Sequence, residues 1–417
     1  MLPNGRQRGD GSRPSSTRLG PSHPISRRGC APTPEPLAYD SGVTSRPITT
    51  SEDQSTTFIE LFFDLVFVYA VTQTVSLVHQ ELSWVGVGHA VVVFWLVWWA
   101  WTQYTWALNS ADTTHPAVEA VVLVATAVAF LMAVTIPDAF GDAGGWFAAT
   151  YLVVRVVGLG VYVRVAWDNV AKRTAVRRFA VLSVGGLAAV AAGGLAGGDA
   201  REWWWAAAVL LDVAAAAGAS AEGWDIRPDH FSERHGLFVI IAVGESLIVA
   251  AAGLTGAERT AQTVAVAILA VALTCGLWWN YFVTVKPALD EAIRRRQGVD
   301  RSTLARDVYS ILHFPLVFGV VLVAVAMKEA VAHPHQALPV AGSLALAGGV
   351  VLFVASTVAA LRRGGYRLAG GRLLLLAVVA AGVWAAHGAP VTWSLLVVAL
   401  GLLLLGAAKR PAPSPSW

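Results

Sequence analysis

Glu60 and Asp64 stand four residues apart inside an otherwise apolar stretch, FIELFFDLVFVYAVTQ, from Phe58 to Gln73. At that spacing two carboxylates share one face of a helix. Three more ionisable groups, Arg155, Asp212 and Glu245, lie deep inside other apolar runs. Placing a charge at the centre of a bilayer costs about 2.5–3.5 kcal/mol on insertion scales. Such groups therefore face the protein interior and take partners. A buried ion pair, Arg155 with Asp212 or Glu245, is the structural reading. The count argues against it as the complete answer, because four carboxylates face one arginine. Acids left over must be protonated, hydrated or neutralised by a bound cation. That is the chemistry of a proton relay or cation path, with Glu60, Asp64, Asp212 and Glu245 titrating and Arg155 as counter-charge. The competing reading of Glu60 and Asp64 is that they cap their helix or pair with Arg234 or another cytoplasmic arginine.

Other polar positions carry less. His89, Gln103 and His313 are expected to bond across helices. His313 with Pro315 in ILHFPLVFG marks a kinked helix, because proline removes an intrahelical donor. His230, Glu233 and His235 in DHFSERHG could ligate a metal, but a solvated helix start is the stronger reading. Trp95, Trp98, Trp99, Trp101 and Trp106 crowd one run. A cation–π site is conceivable there, and packing is the default. Cys30 and Cys275 are each isolated, so no metal spacing exists. No Gly-x-Ser-x-Gly, Walker, His-Glu-x-x-His or Gly-x-Gly-x-x-Gly pattern is present. The expectation is therefore no catalytic residue, no metal, no cofactor and no nucleic-acid partner.

The elements that must position these charges follow from composition. Of the 417 residues 56% are hydrophobic and only 14% charged, where a soluble domain carries roughly 25% charge. Mean hydropathy is +0.58. These values predict an all-α, polytopic transmembrane bundle in contact with membrane lipids. Runs of about 20 residues are each long enough to cross roughly 30 Å of hydrocarbon as a helix. They predict twelve spans: 58–79, 85–108, 118–138, 146–167, 176–197, 203–222, 236–253, 261–285, 307–330, 336–358, 369–387 and 391–408. A barrel is excluded by the absence of alternation. Residues 1–55, rich in Arg, Pro, Ser and Gly, predict a disordered cytoplasmic tail, with no apolar leader in the first 25. The transmembrane domain is expected over 56–408 and a second cytoplasmic tail over 409–417. With both termini inside, Lys and Arg gather on the inner loops and only Arg201, Arg259 and Lys328 fall outside, as the positive-inside rule requires. Trp146, Trp203, Trp204 and Trp205 then sit at outer interfaces. ELFFDLVFVYAVTQ and ERHGLFVIIAVGES begin alike, and Trp98–Trp99 and Trp278–Trp279 recur one span later. This is a weak signal of two parallel six-helix halves, 56–225 and 226–408. A homo-oligomer is compatible with the sequence.

ELFFDLVFVYAVTQ at 60–73, ERHGLFVIIAVGESLI at 233–248 and YSILHFPLVFGVVLVAVAMKEA at 309–330 together resemble the bacterial low temperature requirement A family, over about residues 56–400. The matching motif positions are Glu60, Phe63, Asp64, Glu233, Arg234, Gly236, Gly244, Glu245, Ser246, His313 and Pro315. The resemblance implies a multi-pass protein of the bacterial cytoplasmic membrane, named for a growth phenotype in the cold; it implies no particular reaction. The loop LNSADTTHPAVEA lacks the basic residue expected there. FFDLVFVYAVT is also similar to the Phe-Ser-Asp helix of lysosomal-type potassium channels, which have two six-helix repeats. The favoured expectation is a proton or small-cation transporter or channel. The alternatives are a membrane-embedded enzyme acting on a lipid or envelope precursor, with His313 and the acids as acid/base groups, and a non-catalytic scaffold or sensor.

Overall fold

The computed structural model describes residues 47–49, 55–218, 224, 226–255, 258, 260–367, 371–407 and 412–413. Chain contacts separate Met1–Ser45 from Arg46–Trp417, and the first unit lies outside the described residues. So do most of the expected tails, Cys30 and Arg259.

Among the described residues the chain is helical almost throughout. The helices are α1 (Phe58–Gln80), α2 (Trp84–Leu108), α3 (Pro116–Val134), α4 (Gly144–Ala166), α5 (Val170–Ala196) and α6 (Gly198–Gly218). There follow α7 (Pro228–Leu254), α8 (Ala261–Arg295), α9 (Gly298–Ala332), α10 (Val340–Arg363), α11 (Gly371–Ala385) and α12 (Val391–Ala407). Eight of them, α1 to α5 and α8 to α10, are long and apolar enough to cross a membrane. Their starts are set by short polar residues that satisfy the first free backbone N–H groups. Ser83 accepts from Gly86, Asn169 from Lys172 and Thr260 from Thr263. Gly197, at φ 68°, turns the chain from α5 into α6.

Two π turns interrupt the regular helices, Asn280–Val285 within α8 and Ala305–Leu312 within α9. Each ends just before a proline, Pro287 and Pro315. A proline ring clashes with the carbonyl four residues back, and the widened turn moves that carbonyl aside. The irregularity read at His313–Pro315 is thus a π turn upstream of the proline.

Hydrogen bonds fix which helix ends lie together. Thr49 bridges Ala111 and the Asp112 amide donates to Ile48 at 2.7 Å, so residues 47–49 are held at the α2–α3 connection. The amide of Val391, opening α12, donates to the Gln336 carbonyl of the α9–α10 connection at 3.0 Å. At the opposite end Tyr366–Arg367 pair antiparallel with Ala412–Pro413. α11 and α12 therefore run out and back over the same distance that α10 covers.

Helices close in sequence pack on one another. α1 packs on α2 and α3, α3 on α4, α4 on α2 and α5, and α5 on α6; α7 packs on α8 and α9, α9 on α10, α10 on α8 and α11, and α11 on α12. α9 and α10 approach so closely that a Cβ on Gly319 would lie 2.6 Å from the Gly349 carbonyl and 2.8 Å from the Phe353 amide. Backbone on both sides leaves no side chain to move aside. Gly319→Ala is therefore expected to destabilise the protein by about 1–3 kcal/mol, read as a lower unfolding midpoint in detergent. Gly348→Ala, where a Cβ meets nothing within 4 Å, should not lower that midpoint and is expected to raise it slightly, because alanine favours the helix over glycine.

Candidate functional site

The first turn of α1 starts at Thr57, whose amide and hydroxyl both donate to Glu60 Oε2, at 3.1 and 3.0 Å. The same oxygen accepts from His230 Nε2 on α7 at 3.1 Å. Glu60 Oε1 accepts from Arg234 Nη1 at 3.2 Å. Arg234 Nη2 bonds Asp64 Oδ1 one turn further along α1. Trp101 of α2 donates its indole N–H to that oxygen at 2.7 Å, and the guanidinium lies 5.8 Å from the same ring. Glu60, Asp64, Arg234 and His230 are all buried, none more than 1% exposed. One planar guanidinium thus spans two carboxylates, a geometry that lysine cannot copy.

The bonds around His230 set the orientation of its ring. The Arg227 amide donates to Asn109 Oδ1 at 2.9 Å, which turns the Asn109 Nδ2 donor toward His230 Nδ1 at 3.1 Å. Nδ1 therefore accepts, and Nε2 carries the proton given to Glu60. The cluster holds two carboxylates against one guanidinium. Asp64 Oδ2 and Arg234 Nε have no hydrogen-bond partner there.

Arg155 and Asp212 form a separate site. Arg155 Nη1 lies 3.6 Å from Asp212 Oδ2 and donates to Tyr151 at 2.7 Å. Gln103 of α2 donates to the Arg155 carbonyl at 3.1 Å, and Tyr104 to the Val154 carbonyl at 2.8 Å. This pair ties α4 to α6, balanced in charge. The five charges proposed from sequence are therefore not gathered in one cavity.

Glu245 is different again. It is 2% exposed on α7, its Oε1 has no hydrogen bond, and no ion pair forms to it among the described residues. The Thr72 hydroxyl of α1 lies beside it. Thr72 is eight residues beyond Asp64, a rise of about 12 Å. At the far end of α1, His79 meets Glu329 of α9 at 3.8 Å. Glu60, Asp64, Thr72 and His79 thus mark four levels along α1, three facing α7 and the last α9.

Arg234 was legible only as one candidate partner, because the span was read to begin at 236. α7 begins at Pro228, which places Arg234 two turns inside the helix. The solvated start read at DHFSERHG is corrected likewise. His230 and His235 are buried, while Asp229 and Glu233 are exposed, Glu233 accepting from the Thr56 amide at 3.2 Å. Among the described residues no group of His, Cys, Asp and Glu could hold a metal. The other motif positions gather near the cluster or extend it. Phe63 packs on Phe67 and Tyr104. A Cβ on Gly236 would press on Lys286. His313 Nδ1 faces the Val308 carbonyl at 2.8 Å, so it carries the proton and Nε2 accepts from Tyr281 at 2.8 Å. Ser246, beside Glu245, is buried, and its hydroxyl has no partner among the described residues. Gly244 meets nothing that a Cβ would touch. His89 reaches Glu202 of α6 at 3.1 Å.

Apolar helices of membrane-crossing length with charges turned inward define a multi-pass helical membrane protein. The chain belongs to the family described as bacterial low temperature requirement A protein (LtrA), which matches residues 55–407. It is 28% identical over 319 residues to the uncharacterized protein RA0937 of Rhizobium meliloti (strain 1021), covering 74% of this chain and 77% of that relative. No solved structure matches it.

Removing Arg234 would leave two buried carboxylates facing each other. Arg234→Met is expected to cost about 3–5 kcal/mol, seen as a lower midpoint of thermal unfolding in detergent. Adding Glu60→Gln and Asp64→Asn to it should recover part of that loss. An Arg234→Met protein as stable as wild type would mean that the guanidinium does not tie α1 to α7.

Proposed function

We propose that this protein conducts protons or a small cation across the bacterial cytoplasmic membrane along the contact between α1 and α7. The observation that carries the reading is the location of the unbalanced acids. With Arg234 counted, Glu60, Asp64, Asp212 and Glu245 meet two arginines, Arg155 and Arg234. Asp212 is balanced by Arg155. Both surplus carboxyl groups, one of Glu60 and Asp64 together with Glu245, lie where α1 meets α7. A carboxyl group in a low-dielectric interior without a cation must hold a proton, water or a cation. The levels along α1 are separated by more than a hydrogen bond, so water would carry the steps between them.

The twelve-span architecture belongs to the same proposal. α1 and α7 run parallel, since Glu60 meets His230 and Asp64 meets Arg234 near both helix starts, while Thr72 meets Glu245 further along. Parallel helices need an odd number of crossings between them, which makes α6 a span with α2 to α5. The pairing of α11 and α12 at both ends supports two more. The packing order of α1 to α6 recurs in α7 to α12, as two parallel repeats would require. Aligning Glu60 with Glu233 puts Thr72 opposite Glu245, so equivalent positions meet near the axis that would relate the halves. The described helices would then begin and end on the cytoplasmic side.

Proteoliposomes with a trapped pH dye, under imposed K⁺, Na⁺ or proton gradients, test the reading. Wild type should give flux. Glu245→Gln should lower it at least tenfold with the protein still folded, because no ion pair is broken. Asp212→Asn should lower stability rather than flux per folded protein. No flux under any gradient, or undiminished flux in Glu245→Gln, would overturn the proposal.

A further inference from the structure

Away from the contact of α1 with α7, a second feature points to a ligand. α2, α4, α5 and the first turns of α9 surround a cavity of about 60 Å³. One water needs roughly 10–15 Å³ of such space, so the cavity suits the body of a single-ring molecule. Its walls are aromatic: Trp99, Trp106, Tyr162, Phe179 and Trp224. They brace one another. Tyr162 lies 5.4 Å from Trp224 and 5.7 Å from Phe179, and Trp106 lies 5.4 Å from Trp224. Trp106 is also fixed by its indole N–H, which donates to Ser310 Oγ at 2.8 Å. The walls are thus set without help from a ligand.

Three polar side chains on the lining have atoms with no hydrogen-bond partner among the described residues, the Thr102 hydroxyl, Gln103 Oε1 and the Trp99 indole N–H, the last of which is turned toward Asp212 rather than the cavity. Thr102 and Gln103 are buried, 3% and 2% exposed. The orientation of the Gln103 amide is set by its bond from Nε2 to the Arg155 carbonyl. What it leaves for the cavity is therefore an acceptor. Buried polar groups are nearly always satisfied, and an acceptor beside a hydroxyl asks for a donor.

The rim differs in charge. Arg306 lines the cavity, and its Nη2 lies 2.8 Å from Asp307 Oδ1. Arg363 Nε lies 2.9 Å from the other oxygen of that carboxylate. Two guanidinium groups on one carboxylate leave a positive charge in excess at that end.

We propose that this cavity binds a small aromatic anion, its ring held between the tryptophans, an O–H or N–H donor directed to Gln103 Oε1 and Thr102, and its negative group at Arg306. The inference goes beyond the transport reading, and its readout is binding, which flux does not decide. It also bears on the Arg155–Asp212 pair, because Gln103 holds the Arg155 carbonyl and Trp99 is turned toward Asp212.

Isothermal calorimetry on the purified full chain in detergent, with 4-hydroxybenzoate as the probe, tests it. Saturable binding is expected, weakened about tenfold by Arg306→Gln and several-fold by Thr102→Val. Benzoate, which lacks the donor, should bind more weakly than 4-hydroxybenzoate. Each variant's unfolding midpoint is measured alongside, so that a misfolded protein is not scored as a loss of binding. No saturable heat at millimolar probe would overturn the proposal. So would equal affinity in both folded variants, or binding of tetramethylammonium in place of the anion, which would make the cavity a cation cage.

Discussion

The contact of Arg234 with both Glu60 and Asp64 sets the register on which the rest of the structure depends. Three ionisable groups removed from water are unfavourable one by one, and only close, directed bonding makes them tolerable together. Arginine supplies that bonding because its planar fork reaches two carboxylates at once. Sliding α7 by one turn along α1 would leave Asp64 or Glu60 without its cation. The two helices are thereby held parallel at one offset. That offset brings Thr72 to Glu245, and it presents Trp101 of α2 to the second carboxylate. The same Glu60 satisfies the opening amide of α1 through Thr57, so the local cap and the long-range tie share one side chain.

Much of the helical pattern was legible in the sequence for a physical reason. In lipid every backbone polar group must be satisfied internally, so a long apolar run has no alternative to a helix. The ends were less legible, because a helix continues past its apolar run wherever polar residues cap it. α5 begins at Val170 rather than 176, after Asn169 caps it, and α9 begins at Gly298 rather than 307. The same error at α7 obscured the partner of the two acids. Arg234 was read at a membrane surface, while the structure buries it, so the two acids were weighed without the arginine that joins them.

Which face a residue turns inward was not legible either. Trp205 was expected with Trp203 and Trp204 at an interface. Those two are exposed, whereas Trp205 is fully buried, donating to the Val190 carbonyl at 3.1 Å with Arg201 5.7 Å from its ring. Adjacent helical residues point about 100° apart, so a tryptophan triplet cannot share one environment. In α2, Trp98 and Trp101 are fully buried, and their indole N–H groups find Ser310 and Asp64 on other helices. Helices as apolar as these show little difference between faces, and burial comes from tertiary packing that the pattern does not encode.

The two charged sites differ in a way that bears on function. Arg155 and Asp212 answer each other, and Gly186 packs against the carboxylate so tightly that a Cβ there would lie 2.9 Å from it. Such a site has its charge balanced and its space filled, which suits a fixed tie between α4 and α6. The contact of α1 with α7 is under-neutralised at one level and carries an uncompensated acid at the next. A structural tie gains nothing from a surplus carboxyl group, because its burial costs free energy that a glutamine or leucine would avoid. Glu245 adds no ion pair among the described residues and holds no helix end, and its level lies between the Arg234 cluster and the contact of His79 with Glu329, the order that the proposed path requires.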